Sequence, residues 1–458
     1  MRKTGQAFLP APGLLSPGAE EEESRLMKSV LHAALAVALS LIALPAVSET
    51  TYIQAGKVMA VPGEAVRGET TIIVTDGRIV SLEDGYKSPR DKKAAVIDLK
   101  DSYVLPGLID AHVHLTSDTG GIASQLEDVT LSPAAQAFNA WDNGMKTLRA
   151  GFTTVRNLGD GDGAVLALRD AVNDGQVTGP RILDAGNSIS GAAGHMDGSL
   201  GYRDELRDYF NAAGNTCSGA EDCRRAVRLQ VARGADVIKF ATTGGVNSRI
   251  GAGLGRQMFE DEARAIVETA RLFGKKVAVH AHGADGILLA LTVGVDSIEH
   301  GTILDPETIE AFAASDTYYV PTLSTVNGYI ERLAANPDAY EPDVRAKIEW
   351  RIGITGKSLE ILYGRGVKIA FGTDAGVSKH GRNADEFELM VKFGMPPVEA
   401  IKAATVNAAD LLGLSAEIGT LEPGKSADLI AVKGDPLKDV KVLKAVGFVM
   451  ARGEVIKQ

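Results

Sequence analysis

The feature that most constrains the fold of this chain is a repeat of short apolar segments, each followed by a stretch with a helical pattern. Eight such segments, each ending in Gly, Asn, Thr or another polar residue, occupy 107–115, 152–157, 181–186, 235–240, 276–282, 295–300, 317–322 and 367–375. Strands that alternate with helices form parallel βαβ units, and strands this apolar fit a sheet covered on both faces. Eight successive units predict an α/β fold of the (β/α)8 barrel type, which typically takes about 250 residues.

The competing fold is a doubly wound open sheet, which the same alternation of strands and helices would also produce. A dinucleotide site in that fold requires Gly-x-Gly-x-x-Gly after an early strand, and this chain has no such motif there. The count of eight units and the missing motif both favour the closed barrel.

The segments that flank the barrel have strand patterns without helices. Residues 51–105 contain two alternating runs joined at Asp76-Gly77, which is a strong hairpin signal, and strand patterns return near the C-terminus. We therefore predict one small composite β-sandwich built from both termini, with a short β domain at each end as the alternative. The predicted boundaries are 49–106 for the first part of the sandwich, 107–415 for the barrel and 416–458 for the second part.

The first 48 residues are predicted to be a signal peptide that is not part of the fold. Val30–Val47 is a nearly unbroken apolar run that follows Lys28, and the small-x-small pattern of a cleavage site ends at Ser48. An uncleaved N-terminal anchor is the alternative. The residues upstream include an acidic cluster, so a start at Met27 would give a more typical leader. Cleavage predicts an exported protein, periplasmic or secreted, with no stable membrane anchoring.

Export also bears on the two cysteines of the chain. Cys217 and Cys223 lie six residues apart, and an oxidising compartment would permit a disulfide between them. Two free thiols are the alternative. A metal site is disfavoured, because no further cysteine or nearby histidine completes a ligand set.

The net charge of the chain limits the classes of molecule that it is expected to bind. Lysine and arginine total 48 against 59 aspartate and glutamate residues, which gives a net charge of -11 at pH 7. A basic surplus that could neutralise phosphates is therefore missing. We predict that nucleic acid is not a partner.

Ionisable side chains stand at the ends of the predicted strands. Six of them end strands one, four, five, six and eight: His112 and His114, Lys239, His280, His300, and Asp374. In a barrel the carboxyl ends of the strands converge on one rim, where active sites are built. His112 and His114 are two residues apart, so they share one face of a strand and can bind one ion. A lone histidine is usually a satisfied core residue, but this many groups at one rim predict a metal site.

Lys239 is the most informative of these residues, because it lies inside an otherwise apolar strand. Lysine is almost never fully buried without a partner, and burial lowers its pKa and makes the amine nucleophilic. Such an amine could form a Schiff base, or it could be carboxylated by carbon dioxide to give an anion that bridges two metals. The surrounding histidines favour the second use, and a structural lysine that extends to solvent is the remaining alternative.

These residues lie in motifs that resemble those of the metal-dependent amidohydrolase superfamily. In chain order the motifs are PGLIDAHVHL (106–115), VIKF (237–240), VAVHAHG (277–283), SIEHG (297–301), FGTDAG (371–376) and GTLEPGKSADLIAV (419–432). The resemblance covers nearly all of 50–458. It implies a distorted TIM (β/α)8 barrel with a composite β-sandwich, and because the family is often oligomeric we expect a homo-oligomer.

The resemblance also implies a binuclear centre of the lysine-bridged branch. One divalent ion would be held by His112, His114 and Asp374, and the second by His280 and His300. An N6-carboxylated Lys239 and a hydroxide would bridge the two ions. Zinc is the commonest metal of the family and suits this N/O ligand set. Asp374 would be the catalytic residue, which takes the proton of the attacking water and passes it to the leaving amine.

Details of the motifs narrow the expected reaction. Deaminase-like and imidazolone-hydrolysing members of the superfamily typically have His-Ala-x-Glu on strand five, whereas this chain has His280-Ala-His-Gly283. Its motifs are most similar to those of exported dipeptidase and carboxypeptidase-type members, including prolidase-like enzymes and amidases that cleave ochratoxin. We therefore expect hydrolysis of a small-molecule amide, either a dipeptide or an N-acyl amino acid, with ochratoxin A among the candidates.

Two other functions compete with this expectation. The first is a cyclic amidohydrolase or deaminase such as an imidazolonepropionase-like enzyme, against which the HAHG sequence counts. The second is a scaffold without activity, against which the presence of all six ligands counts.

The expected products carry a free carboxylate, which requires a cation or hydrogen-bond donors near the rim. The candidate substrate-binding residues are His195, Arg249, His282 and His380. His282 points the same way as His280, and we expect it to contact substrate or support the metal site rather than bind a metal.

Overall fold

The apolar segments of the sequence form the strands of the structure. The computed structural model describes residues 50–159, 161–248 and 253–458, so the predicted signal peptide and Arg249 lie outside the described residues. In chain order the strands are β1 (Thr50–Val58), β2 (Thr70–Thr75), β3 (Arg78–Asp84), β4 (Ala95–Pro106), β5 (Leu108–Val113), β6 (Phe152–Asn157), β7 (Arg181–Asp184), β8 (Ser190–Gly191), β9 (Thr216–Cys217), β10 (Val237–Ala241), β11 (Lys276–Ala281), β12 (Ser297–His300), β13 (Tyr318–Val320), β14 (Leu429–Val432), β15 (Phe448–Ala451) and β16 (Glu454–Lys457).

The helices alternate with the barrel strands. They are α1 (Gly121–Thr130), α2 (Pro133–Arg149), α3 (Ala164–Asn173), α4 (Arg207–Asn211), α5 (Ala220–Ala232), α6 (Glu260–Leu272), α7 (Ala284–Val293), α8 (Pro306–Ala313), α9 (Thr325–Ala335), α10 (Pro342–Ile354), α11 (Lys357–Gly364), α12 (Asp385–Lys392), α13 (Pro397–Lys402) and α14 (Ala408–Leu412). Among the helices of the described ranges, none combines the length and the apolar character that crossing a membrane would require.

Each helix that packs on the barrel turns one apolar face inward. In α6 the buried residues include Ala263, Ile266 and Ala270, which recur at intervals of three and four and so form one stripe. All five residues of β10 are buried, because helices cover one face of the strand and the barrel interior the other. The apolar runs of the sequence therefore correspond to strands that are enclosed on both sides.

Backbone pairing connects eight positions into a ring. β5, β6 and β7 form one parallel sheet, and β10 to β13 form a second in sequence order. Three isolated parallel bridges join these sheets and the eighth segment: Ile189 with Phe240, Tyr319 with Ile369, and Val113 with Ala375. The chain thus has the predicted distorted (β/α)8 barrel.

The eighth predicted strand, 367–375, is not a regular strand. It is held by isolated bridges, and Asp374 has a left-handed backbone conformation with φ 56°. Thr373 donates to the buried carboxylate of Asp110 from its backbone N (3.1 Å) and from its hydroxyl (2.6 Å). Asn383 donates to the same carboxylate (2.8 Å). Hydrogen bonds to a side chain therefore supplement backbone bonds such as Ala111 N to Phe371 O (2.9 Å) and Asp374 N to His112 O (2.7 Å), and an apolar pattern does not reveal them.

Strands from both ends of the chain form one composite β-module, as predicted. Its sheet has the order β16-β15-β14-β4-β1-β2-β3, and β4 pairs with β1 from the N-terminal part and with β14 from the C-terminal part. The predicted hairpin turns at Asp76 and Gly77, which have φ values of 50° and 76°. A bridge between Arg78 and Ser426 ties the edge strand β3 to the residues before β14, so the sheet folds over a single apolar cluster.

Cys217 and Cys223 are joined in a disulfide, with 4.9 Å between their Cα atoms. The bond links β9 to the first turn of α5. Of the two alternatives that the sequence left open, the structure has the paired cysteines.

We predict that Asp110→Ala lowers the free energy of unfolding by at least about 3 kcal/mol, because four buried donors lose their acceptor. These donors are Thr373 N, Thr373 Oγ1, Asn383 Nδ2 and His112 N. Chemical denaturation measures the change. Asp84→Ala is the control, since that side chain is 91% exposed and its removal should change stability by no more than about 0.5 kcal/mol. Equal stabilities of the two variants would contradict this account of the barrel closure.

Candidate metal centre

All six residues that the sequence predicts as metal ligands line one inner cavity at the carboxyl ends of the strands. His112 lies in β5 with His114 just after it, Lys239 in β10, His280 in β11, His300 at the end of β12 and Asp374 in the eighth segment. The cavity has a volume of about 160 Å³. The closed barrel therefore brings together residues that are up to 262 positions apart in the chain.

His112, His114 and Asp374 form a first group of potential ligands. The Nε2 atoms of the two histidines lie 3.5 and 3.4 Å from Oδ1 of Asp374. All three ligand atoms fall within 4.8 Å of one another. One ion placed among them could contact all three.

A second group consists of His280, His282 and His300, whose ligand atoms also lie within 4.8 Å of one another. His282 was predicted to contact substrate, yet its ring is stacked on that of His300 with centroids 4.9 Å apart. Threonine hydroxyls lie 2.8 and 2.7 Å from Nδ1 of His282 and His300, so Nε2 is the atom that each offers to a ligand. By this geometry His282 is a potential ligand together with the two predicted ones, His280 and His300.

Lys239 lies on the wall of the same cavity and is only 1% exposed. Its Nζ atom has no hydrogen-bond partner within the described part of the chain. Burial lowers the pKa of this amine to about 8, against the opposing charges of Glu299 and Asp374. Buried polar groups are usually hydrogen-bonded, so an amine that lacks a partner among the described residues indicates that a further group binds there.

Burial also sets the charge of the imidazoles. It lowers the pKa of His112 to about 3 and that of His114 to about 4, and the positive charge of Lys239 acts in the same direction. The pKa values of the histidines in the second group lie well below the usual range for the same reason. The imidazoles are therefore neutral near pH 7, which is the form that binds a metal.

A buried ion pair that the sequence analysis missed stands behind the first group. Glu299 is fully buried in β12, and its Oε2 accepts a hydrogen bond from His112 Nδ1 (2.8 Å). Its Oε1 accepts from Arg156 Nη2 (3.0 Å) and from the Ser297 hydroxyl (2.6 Å). Arg156 Nε also donates to Ala111 O (2.6 Å). Burial would raise the pKa of Glu299, but Arg156 and His112 hold it at about 2, so the carboxylate stays charged.

Of the four predicted substrate-binding residues, His195 and His282 line the inner cavity. The ring of His195 lies 4.1 Å from that of His280, and its Nδ1 is 2.7 Å from the Ser248 hydroxyl. His195 also lines a neighbouring outer cavity of about 330 Å³, which shares His114 with the inner one. Its place suits a contact with substrate.

The other two predicted substrate-binding residues are not placed in this way. His380 is buried, its Nε2 lies 3.0 Å from the carbonyl oxygen of His114, and it lines neither of these two cavities. It therefore supports the backbone that carries His114, and the prediction of a substrate contact does not fit its position. Arg249 lies outside the described residues.

Two helices, α9 and α10, also contribute to the lining of the inner cavity, and the sequence analysis did not assign them to the site. Tyr329 in α9 and Arg351 in α10 both line the cavity. Val246, from the segment after β10, packs with Tyr329 and Ile348 in one apolar cluster. These residues have ordinary helical or loop patterns, so nothing in the sequence marks them as part of the site.

The residues present fit divalent metal ions. Neutral imidazoles and a carboxylate form two groups, and within each group the ligand atoms lie within 4.8 Å of one another. The amine of Lys239, which has no hydrogen-bond partner among the described residues, lies in the same cavity. Nitrogen and oxygen donors of this kind suit zinc and other first-row metals.

The chain is similar to known hydrolases over most of its length. The sequence profile of the amidohydrolase family matches residues 103–456. Ochratoxinase from Aspergillus niger is 32% identical over 428 residues, which cover 90% of this chain and 87% of that protein. A solved Xaa-Pro dipeptidase with methionine bound in its active site has a TM-score of 0.84 and 38% identity, over 90% of this chain and 100% of that chain. A prolidase complexed with N-methylphosphonate-L-proline has a TM-score of 0.80 and 29% identity, over 89% of this chain and 100% of that chain.

The profile spans most of the chain, and ochratoxinase exceeds 30% identity over nearly the whole of both sequences. The barrel and the composite sheet agree with this match. The chain belongs to the amidohydrolase family and is a hydrolase that acts on amide bonds.

Proposed function

We propose that the protein is a binuclear metal-dependent amidohydrolase that cleaves the amide bond of dipeptides or N-acyl amino acids. The observation that carries this proposal is the pair of ligand groups that share one cavity with the unpartnered amine of Lys239. The similarity to an ochratoxinase and to Xaa-Pro dipeptidases supports a substrate whose amide nitrogen belongs to an amino acid.

Each group would hold one ion. His112, His114 and Asp374 would bind the first, and His280 and His300 the second, with His282 beside them. The uncharged Lys239 amine would add to carbon dioxide through its nitrogen and lose one proton, and the resulting carbamate would offer oxygen ligands in the same cavity. Bound ions, most commonly zinc in this family, would supply a water of lowered pKa and polarise the scissile carbonyl.

Asp374 is the residue that would move the proton. Burial raises its pKa to about 7 in the metal-free protein, although the charge of Lys239 opposes this. A carboxylate beside the attacking water is a suitable general base and acid. It would take a proton from the attacking water and give it to the amide nitrogen as the C–N bond breaks. The products are a carboxylic acid and a free amine.

Glu299 would orient the first ligand of this centre. Because its carboxylate accepts from Nδ1 of His112, the proton of that imidazole is fixed on Nδ1 and the lone pair on Nε2 faces Asp374. Carboxylates that hold metal-binding histidines in this way tune both geometry and affinity.

We predict that Glu299→Gln weakens binding of one of the two ions by roughly 10- to 100-fold. The amide can still accept from Arg156, but its NH₂ group would face Nδ1 and force the proton of His112 onto the metal-binding nitrogen. Metal content after dialysis against graded chelator measures the effect. Glu310→Gln, on a side chain that is 66% exposed, is the control and should retain both ions. A Glu299→Gln protein with unchanged metal affinity would refute this role.

Carboxylation of Lys239 predicts that reactivation of the metal-free protein depends on bicarbonate and on pH. Since the pKa of the amine is lowered to about 8, the uncharged fraction that reacts with carbon dioxide grows as the pH rises through about 8. Recovery of metal content and activity should become faster over this range and faster again with added bicarbonate. Lys239→Arg should not respond. Reactivation at one rate with and without bicarbonate would exclude the carbamate.

The substrate class is tested by a screen of Xaa-Pro and Xaa-Arg dipeptides, N-acyl-phenylalanine and ochratoxin A with the metal-loaded protein. We expect hydrolysis of at least one of these, and chromatography of the released amino acid measures it. Turnover of a cyclic imide alone would favour the cyclic-amidohydrolase alternative.

Asp374→Asn should reduce kcat by at least about 100-fold, and it should lose a smaller fraction of its bound metal than of its activity. Wild-type turnover in Asp374→Asn would contradict the proton-transfer role.

We further propose that the protein is exported and forms homo-oligomers. The disulfide between Cys217 and Cys223 supports an oxidising compartment. Exposed apolar side chains such as Leu126 and Phe138, which are 61% and 74% exposed, support association between copies of the chain.

A further inference from the structure

Among the described residues, two arginines are buried, and within that part of the chain one of them has a carboxylate partner. Arg156 is 1% exposed and forms an ion pair with Glu299 at 3.0 Å. Arg351 is 3% exposed and lines the inner cavity. In the described part of the chain its only side-chain hydrogen bond is from Nη1 to the Thr355 hydroxyl at 3.3 Å, one turn along its own helix.

The carboxylates nearest to Arg351 are engaged elsewhere. Glu386 accepts from the backbone N atoms of Leu323 (2.9 Å) and Ser324 (2.6 Å), and Asp374 belongs to the first ligand group. Both act on the guanidinium only at a distance, and neither forms an ion pair with it. An uncompensated buried charge is costly, so a site that keeps one is expected to receive an anion.

The position of Arg351 suits one particular anion. Arg351 and His282 line the same inner cavity, and His282 stands in the second ligand group, so the guanidinium lies close to the proposed reaction centre. In a dipeptide or an N-acyl amino acid a single carbon separates the amide nitrogen from the carboxylate of the leaving residue. A carboxylate that close to the scissile bond must lie in the inner cavity with the ligands rather than in the outer one.

We propose that Arg351 binds the α-carboxylate of the leaving amino acid and restricts the enzyme to substrates in which this carboxylate is free. This inference rests on the proposed function, since it concerns the same amide substrates. A guanidinium suits the task because it presents paired N–H donors in the geometry of a carboxylate. Arg351 belongs to α10, whereas the potential metal ligands lie on or after barrel strands, so ligands and specificity would come from separate elements.

The first test compares each dipeptide that the enzyme hydrolyses with the same dipeptide capped as a C-terminal methylamide. We expect kcat/KM of the wild type to favour the free acid by roughly 30-fold or more. Arg351→Met should abolish this preference by lowering kcat/KM for the acid alone, and Arg351→Lys should keep part of it. Arg345→Met is the matched control, because Arg345 lies on the same helix and pairs with Glu349 on the exposed surface.

A second measurement separates this inference from the proposed reaction. Calorimetry follows the binding of free L-amino acids, which are the expected products, and of their amides, and it needs no turnover. Selective loss of amino-acid binding in Arg351→Met would support the carboxylate site even if every substrate in the screen failed. The inference would be overturned if Arg351→Met still bound amino acids like the wild type or still preferred the free acid. It would also be overturned if the wild type did not distinguish the acid from the amide.

Discussion

Removal from water determines the chemical state of each ionisable group at the rim of this barrel. The imidazoles of both ligand groups lose their protons, the amine of Lys239 becomes easier to deprotonate, and the carboxyl of Asp374 titrates near neutral pH. Each of these groups then needs a partner that water would otherwise provide. Where the protein supplies the partner, as Arg156 does for Glu299, the pair is structural. Where it does not, as at Lys239 and Arg351, the structure points to something bound.

Much of this site could be predicted from the sequence because parallel strands all run in the same direction, so their carboxyl ends lie at the same end of the barrel. Once eight apolar segments indicate a barrel, the residues at their carboxyl ends must meet, and His112, Lys239 and His300 follow without any knowledge of side-chain contacts. The disulfide could only be left open, since a spacing of six residues permits pairing without requiring it. The eighth segment was predicted as a strand, but isolated bridges join it to its neighbours and Asp110 adds side-chain hydrogen bonds that apolar patterns do not record.

Residues that support the metal ligands through another side chain, or that line the cavity from a helix, could not be predicted. Arg156 lies inside β6, where a single charged residue in an apolar run could equally point outward. Arg351 lies on a helix whose sequence is that of an ordinary charged surface helix. The meaning of both depends on which carboxylates surround them, and that arrangement exists only in three dimensions. His380 shows the reverse error, since a histidine in a loop near the rim turned out to support the backbone of His114.

The proposed function depends most on two ions that act together in amide hydrolysis. A titration of the metal-free protein with zinc, in the presence of bicarbonate and with a hydrolysed dipeptide as the reporter, tests this most directly. Activity should rise until two equivalents per chain are bound and then remain constant. A maximum at one equivalent, or full activity without metal, would contradict the two-ion site.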